Sequence, residues 1–420
     1  MSALKNLLKT IAANKEFIVI YLLLYTTYII ILPKDGHGAD TFCWKEWTKY
    51  LFSNGLGNAY KSWTDYLPLY QYFLWVFGYF QGSIEKIEQN IYLLKMITIA
   101  FEFVGGFYLI KFLKEKIDNR YELIVYSMFY FLNIAIFYNS VIWGQIDGIL
   151  STFLFISFYY ALKEKITLSL VFLLLAINLK LQAIIFIPVL GLMLLPLMIK
   201  RFSLKNLSLW AGSVLIIQLL ILLPFIIKDD ISRVLSVIVG SFGKYPVISM
   251  NAYNFWFWFF KGSLMQIPDS TKYLGVTCKH WGLIIFFLTS FVALFPLIKM
   301  AYLKIVKRSE EFISVEKILL ISSLIPLLFF FFNTQMHERY SHPALIFIIA
   351  YSIISKNFFP SAIICLAYLL NMEDVLRYLH LEWYNSFIFK RHLVAIIYSI
   401  GIISIYIKLY DIRLNLKLSS

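Results

Sequence analysis

A chain of 420 residues that is 60% hydrophobic and only 15% charged, with a mean hydropathy of +0.74, has too little polar side chain to coat a soluble globule of its size. It reads as an all-α polytopic membrane protein, with active or binding groups in loops or inside the bundle. The net charge of +14 does not indicate a nucleic-acid partner, because the basic residues fall between apolar runs, where the positive-inside rule puts them.

The first apolar run, 17–32, follows Lys5, Lys9 and Lys15 and shows no small-residue cleavage site, so it reads as a retained helix. Further runs at 91–110, 121–138, 148–162, 166–179, 183–199, 207–227, 281–299, 316–332, 343–355, 358–371 and 393–409 bring the expectation to about twelve crossings, several of them short. With the N-terminus in the cytoplasm, Lys111, Lys114, Lys116, Arg120, Lys163, Lys165, Lys200, Arg201, Lys205, Lys299, Lys304, Lys307, Arg308, Lys408, Arg413 and Lys417 all fall inside. This requires segment 66–80 to lie on, or dip into, the outer surface; if it crossed, the later basic loops would flip outward. Residues 1–228, with a first outer loop at 33–90, read as a catalytic module. Residues 229–420 read as a more variable membrane module with outer loops at 228–280, 333–343 and 371–390, and the less hydrophobic stretch 229–280 is expected to form helices lying on the bundle.

Under that topology every loop of unusual polar chemistry reaches the outer face. Asp40 stands at the start of an amphipathic run, where an N-cap for a helix from Thr41 is the simplest reading. Asp65 and Tyr66 precede Leu67 and Pro68, where an Asx-type turn is ordinary. Asp147, with Gln145 and Asn139 nearby, is either a helix-start cap or part of a polar cavity. Lys180 interrupts an apolar stretch two residues before Gln182, and either snorkels from a hairpin tip or meets a functional partner. Asn251 to Trp256 read as an interfacial aromatic anchor, or as residues that stack on a sugar or hold a lipid tail. His337, Glu338 and Arg339 sit between apolar flanks; one reading is a structural ion pair between Glu338 and Arg339, although neighbours in sequence seldom face each other, and the favoured one is function, since His with Arg suits oxyanion binding.

Cys43, Cys278 and Cys365 have no metal-ligand spacing, and although Cys43 and Cys278 share the outer side, free thiols are the simpler reading. The sequence assigns no cofactor and no metal ligand, and leaves a divalent-metal requirement open. It has no Rossmann, Walker or zinc-protease signature, so any reaction needs an activated group delivered from the membrane.

These islands in order are GADTFCWKEW at 38–47, DYLPLY at 65–70, WGQID at 143–147, KLQ at 180–182, NAYNFW at 251–256 and MHERY at 336–340. As a set, spanning about three quarters of the chain, they resemble the GT-C membrane glycosyltransferases that use polyprenyl-phosphate sugars. The chain is most similar to bacterial relatives of the mannosyltransferase that adds the second mannose of the GPI anchor, with a more distant likeness to the glucosyltransferases of N-glycan precursor assembly. One departure is Leu67, where that pattern has a first proline.

The resemblance implies a GT-C fold and an inverting hexosyltransferase, with mannose the favoured sugar and Asp40 the general base. It implies a polyprenyl-phosphate sugar donor, a glycan or lipid-linked acceptor, membrane lipid around the chain, and a multi-pass plasma-membrane location with the active site outside. Lys180, Gln182, His337 and Arg339 would then hold the donor phosphate, and Asp65, Tyr66, Gln145, Asp147, Asn251 and Asn254 would bind substrate. The competing class is a flippase or transporter of a lipid-linked saccharide, for which internal repeats and broken helices near the midplane would be expected; neither is evident. A lipid-polymer ligase would carry a larger outer loop.

Overall fold

In hydrocarbon a backbone must satisfy its own hydrogen bonds, and apolar runs of this length do so as helices. The computed structural model, which describes residues 15–241, 243–309 and 312–412, is 74% helix, with 17 α-helices joined by short turns and two-residue strands. Seven helices are long and apolar enough to cross a membrane: Ile84–Leu113, Leu181–Lys200, Leu204–Ile227, Cys278–Ile305, Val315–Phe332, Phe359–Leu376 and Arg391–Leu409. The pair Arg120–Phe131 and Ile134–Trp143, bent by 42°, makes an eighth if it counts as one span.

The remaining expected crossings are shorter. Lys15–Ile30, Asp147–Leu162, Ile166–Leu179 and Ala344–Ser355 have 16, 16, 14 and 12 residues. At about 1.5 Å per residue none matches a hydrocarbon core ~30 Å thick. Two of them are core helices: Asp147–Leu162 and Ala344–Ser355 are buried on nearly every face, so protein and not lipid surrounds them. Leu204–Ile227 is the opposite case, with only three buried residues and its apolar side chains turned outward.

Ion pairs mark one end of the bundle. Arg120 with Glu16, Lys163 with Glu115, Arg201 with Glu164, Lys356 with Glu122 and Lys317 with Asp411 join the loops that carry most of the basic residues. Exposed pairs of this kind add at most about 1 kcal/mol each, so their value here is as a map of which loops share a side. The helix Lys95–Leu113 connects the two ends: its last turn leads to Glu115, and its first residue donates to the carbonyls of Pro33 and Asp35 in the first long loop. Lys5, Lys9, Arg413 and Lys417 lie outside the described residues.

Up to Ile84, where the first long apolar helix begins, the 33–90 loop is built from helices that are not among the spans. Gly38–Asn54 buries Trp44, Trp47, Thr48 and Leu51, a single helical face, and ends at Gly55, whose φ of 77° an L residue resists. Pro68 at the first helical turn starts Pro68–Gln81, which packs on it so closely that a Cβ at Gly78 would stand 3.1 Å from Thr48 Cγ2.

Three expectations are corrected. Among the described residues of 229–280, Ile231–Gly240 is the one α-helix before Cys278–Ile305 begins; the rest is turns, short strands and the single 3-10 turns Phe255–Trp258 and Leu264–Gln266, since Pro246, Pro268 and several glycines break any longer helix. The strand Ser249–Met250 pairs in parallel with Met336–His337, tying this loop to the 333–343 loop. The NAYNFW run is no surface anchor: Tyr253 and Trp256 are buried, Trp256 Nε1 donates to the Phe332 carbonyl at 2.9 Å, and Asn254 Nδ2 donates to the Phe330 and Asn333 carbonyls. It caps the open C-terminal end of Val315–Phe332. Glu338 and Arg339, finally, do face each other, at 2.5 Å, because they lie in a turn and not in a helix.

Candidate functional site

Asp40 is not the N-cap of its helix. The helix begins at Gly38 after His37, and Asp40 in its first turn points back across the loop, where its Oδ2 accepts from Trp143 Nε1 at 2.8 Å and from Gln145 Nε2 at 2.6 Å. His37 Nδ1 stands 3.0 Å from the same oxygen and its ring stacks on Trp143 at 4.6 Å. Arg339 reaches the other oxygen at 3.8 Å. Three segments far apart in sequence thus meet at one carboxylate, and a fourth, that of Lys180, reaches it through Asp147 and one intermediate residue.

Arg339 is that intermediate. Its guanidinium spans Asp40 and Asp147, the latter at 3.9 Å, and binds Glu338 at 2.5 Å. Asp147 in turn accepts from Lys180 Nζ at 2.5 Å and from Asn139 Nδ2 at 3.3 Å. Lys180 therefore does not snorkel: it turns inward at the end of Ile166–Leu179, with its ammonium 5.4 Å from the Tyr340 ring centroid. Gln182 Nε2 donates to the Tyr340 carbonyl at 2.6 Å, fixing the KLQ segment to the MHERY turn. Within the buried cluster, Arg339 Nε and Gln182 Oε1 have no hydrogen-bond partner, an uncommon state for buried polar atoms.

Other residues singled out in the sequence lie around this cluster. His337 packs between the Tyr245 and Tyr340 rings, each 5.1 Å away, and Tyr66 is close enough to feel the charges of Asp40 and Arg339. Asp65 is half-exposed and ion-paired to Lys244, at the rim of the cluster and not in it. Asn251 has a φ of 64°, bridges His337 through the backbone, and accepts at its carbonyl from Asn371. Asn254 is wholly buried and its amide is engaged by backbone groups. The residues that motif reading missed are His37, Trp143 as a donor to Asp40, and His342, which meets Tyr368 at 3.1 Å, Tyr368 also taking the Asn139 amide. His37 was available from its spacing, three residues before Asp40 on a helix start.

The electrostatics follow from burial and pairing. Burial alone would push the Asp40 carboxyl up, but Arg339, His37 and Trp143 together outweigh it and hold the group well below the usual carboxylate range. Burial, reinforced by the Arg339 charge, holds His337 well below its ordinary value, so its ring is neutral. Burial also lowers Lys180, against the pull of Asp147. The result is a water-poor patch with two fixed cations, an ionised carboxylate that accepts and does not donate, and a neutral imidazole beside them.

All three cysteines are free, and among the described residues no group of three or more His, Cys, Asp or Glu side chains stands close enough to hold a metal ion. No family model matches the chain, and no curated protein matches it.

Proposed function

We propose that this chain is an inverting glycosyltransferase of the GT-C type, which moves a hexose, mannose favoured, from a polyprenyl-phosphate sugar to a lipid-linked glycan or other acceptor at the outer face of the plasma membrane. The observation that carries the reading is the convergence on Asp40: the WGQID segment holds it directly, and the KLQ and MHERY segments meet it through Arg339 and Asp147. Twelve helical strokes between a basic end and this polar end, with the shorter ones in the core, belong to the same reading, as does a division near residue 228.

The acceptor hydroxyl attacks the anomeric carbon from the face opposite the phosphate; its oxygen-carbon bond forms as the carbon-phosphate-oxygen bond breaks, and its proton passes to Asp40. Asp40 is a weak base when Arg339 faces it, so the proton leaves late, after bond formation has made it acidic. A donor phosphate drawn to Arg339, whose Nε makes no hydrogen bond and only a 3.9 Å ion pair to Asp147, competes for the guanidinium and returns basicity to Asp40. The electron pair of the broken bond ends on the polyprenyl phosphate, where Arg339 and Lys180 offset the charge, Arg in a two-oxygen geometry that Lys does not reproduce. Neutral His337 and the Gln182 amide supply hydrogen bonds, and Asp65, Tyr66, Gln145, Asp147 and Asn251 shape or line the approach to sugar hydroxyls, while Asn254, its amide engaged by backbone, acts only through the loop it holds.

The test is donor challenge. Membranes containing the chain are given radiolabelled polyprenyl-phosphate mannose or polyprenyl-phosphate glucose, and label is followed into extracted products. Transfer from one donor, mannose expected, supports the class and names the sugar. Transport of an intact lipid-linked saccharide with no label transfer would replace it with the flippase reading.

A further inference from the structure

Lys95 is an ammonium that is 4% exposed, and its three hydrogen bonds all go to backbone carbonyls: Pro33 at 3.0 Å, Asp35 at 2.5 Å and Ile142 at 3.2 Å. An ammonium has three donors and no acceptor, so this set satisfies it completely. The neighbouring backbone is shaped to admit it. Gly144 has a φ of 87°, and a Cβ there would stand 2.9 Å from Lys95 Cε; a Cβ at Gly36 would stand 2.8 Å from the Trp143 carbonyl and 3.4 Å from Lys95 Nζ. The His37 amide donates to that same Trp143 carbonyl at 3.1 Å.

The two stretches held by Lys95 are the ones that deliver the site. Pro33 to His37 leads into Asp40, and Ile142 to Gly144 leads into Gln145 and Asp147, with Trp143 in between. Seven residues further along the same helix, Glu102 binds Ser140, near the middle of the π-helical turn Tyr138–Trp143. The turn is therefore gripped at two points from one helix, Ser140 and Ile142, while Asp40 hangs from the partner stretch.

We infer that Lys95 is a positioning residue: it clips the Pro33–Asp35 backbone to the Ile142 carbonyl and so sets the register between Asp40 and its donors Trp143 and Gln145. The inference deepens the proposed transfer reaction and rests on it for its kinetic part. A lysine kept only for stability would predict otherwise, since an apolar residue of similar volume commonly replaces a buried charge at little cost; here a methionine fills the volume but leaves the Pro33, Asp35 and Ile142 carbonyls without their shared donor, and the two stretches joined only by the His37–Trp143 contacts and by Asp40 itself.

The experiment uses the full-length chain in lipid nanodiscs, with Lys95→Met, Lys95→Arg and Gly144→Ala compared with wild type. Hydrogen exchange is followed by mass spectrometry, and transfer is measured with the labelled donors. Lys95→Met is expected to speed exchange about tenfold in peptides covering 33–45 and 138–147, the loss of roughly one charged hydrogen bond, while peptides covering 344–376 stay protected. Turnover is expected to fall by on the order of 100-fold, as for a misplacement of about 1 Å, with the donor KM little changed. Lys95→Arg, which keeps donors for the same carbonyls, should recover part of both signals, and Gly144→Ala should reproduce the Lys95→Met pattern. Exchange unchanged in the two segments, or locally faster exchange with normal turnover, would overturn the inference. If Lys95→Met loses protection throughout, the decision passes to Lys95→Arg and Gly144→Ala by the same criteria. If wild type transfers from neither donor, the transfer reading fails by itself, and unchanged exchange still overturns the clip.

Discussion

In the proposed transfer Asp40 and Arg339 form the pair on which the chemistry turns, and each sets the other's properties. The carboxyl is held low because Arg339, 3.8 Å away, together with His37 and Trp143 outweighs the opposing effect of burial, Arg339 making the largest single contribution of the three. A depressed carboxyl contributes stability that is fully present above its unfolded value, near 3.9, and is lost only as the pH falls through the lower folded value. Wild-type activity should therefore show no acid limb from Asp40 between about pH 5 and 8. Arg339→Gln removes the cation and leaves burial unopposed by it, so the carboxyl rises and an acid limb should move up into the measurable range; a pH–rate profile of the variant checks this, and an unmoved profile would separate the two residues. If Arg339 also grips phosphate, the same substitution should weaken donor binding roughly 10- to 100-fold, the cost of a charge-assisted hydrogen bond. Arg339→Lys should restore the charge and only part of the affinity, as measured by titration with donor.

At the scale of elements, the site is where helix ends meet short irregular segments. Lys180 ends one helix and Asp147 begins another, and their buried pair ties the two ends. Lys180→Met leaves Asp147 with only the more distant Arg339 and the Asn139 amide, and is expected to cost up to about 3–5 kcal/mol, whereas Lys180→Met with Asp147→Leu should recover much of that stability yet stay inactive. Thermal unfolding of the single and double variants measures the first effect, and donor transfer the second. The helices themselves were legible in the sequence, because apolar run length is a direct record of lipid or core burial. The segments between them were not: the pairing of Ser249–Met250 with Met336–His337 joins residues more than eighty apart, and two-residue strands leave no periodicity to read. Asp40 was found as a residue but misread as a cap, since its true partners, Trp143 and Gln145, are contributed by a distant π-helical turn. Asn254 shows the reverse, a motif residue whose amide is taken up in closing the end of Val315–Phe332. Lys95 left no mark because it lies inside a span, where a single lysine at a helix start reads as a boundary.

For the whole molecule the claim is sidedness followed by transfer. The ion-paired loops at one end and the Asp40 cluster at the other make the first part testable with cysteine scanning. In a background lacking the native thiols, a cysteine replacing Gln89 should react with an impermeant reagent applied from outside, and one replacing Lys116 should not; the reverse pattern would invert the chain in its membrane. The count of seven or eight long apolar helices, against an expected twelve, has a physical origin. Helices such as Ala344–Ser355, enclosed by others, need not match the thickness of lipid. The second part is tested most directly by comparing purified wild type with Asp40→Asn, using labelled polyprenyl-phosphate mannose and following both donor binding and label transfer. Asparagine keeps the size and some of the hydrogen bonding but not the basicity. Wild type should transfer the label, and Asp40→Asn should bind donor while transfer falls by on the order of 100- to 10,000-fold. Near-normal transfer by Asp40→Asn, or none by wild type, would contradict the account.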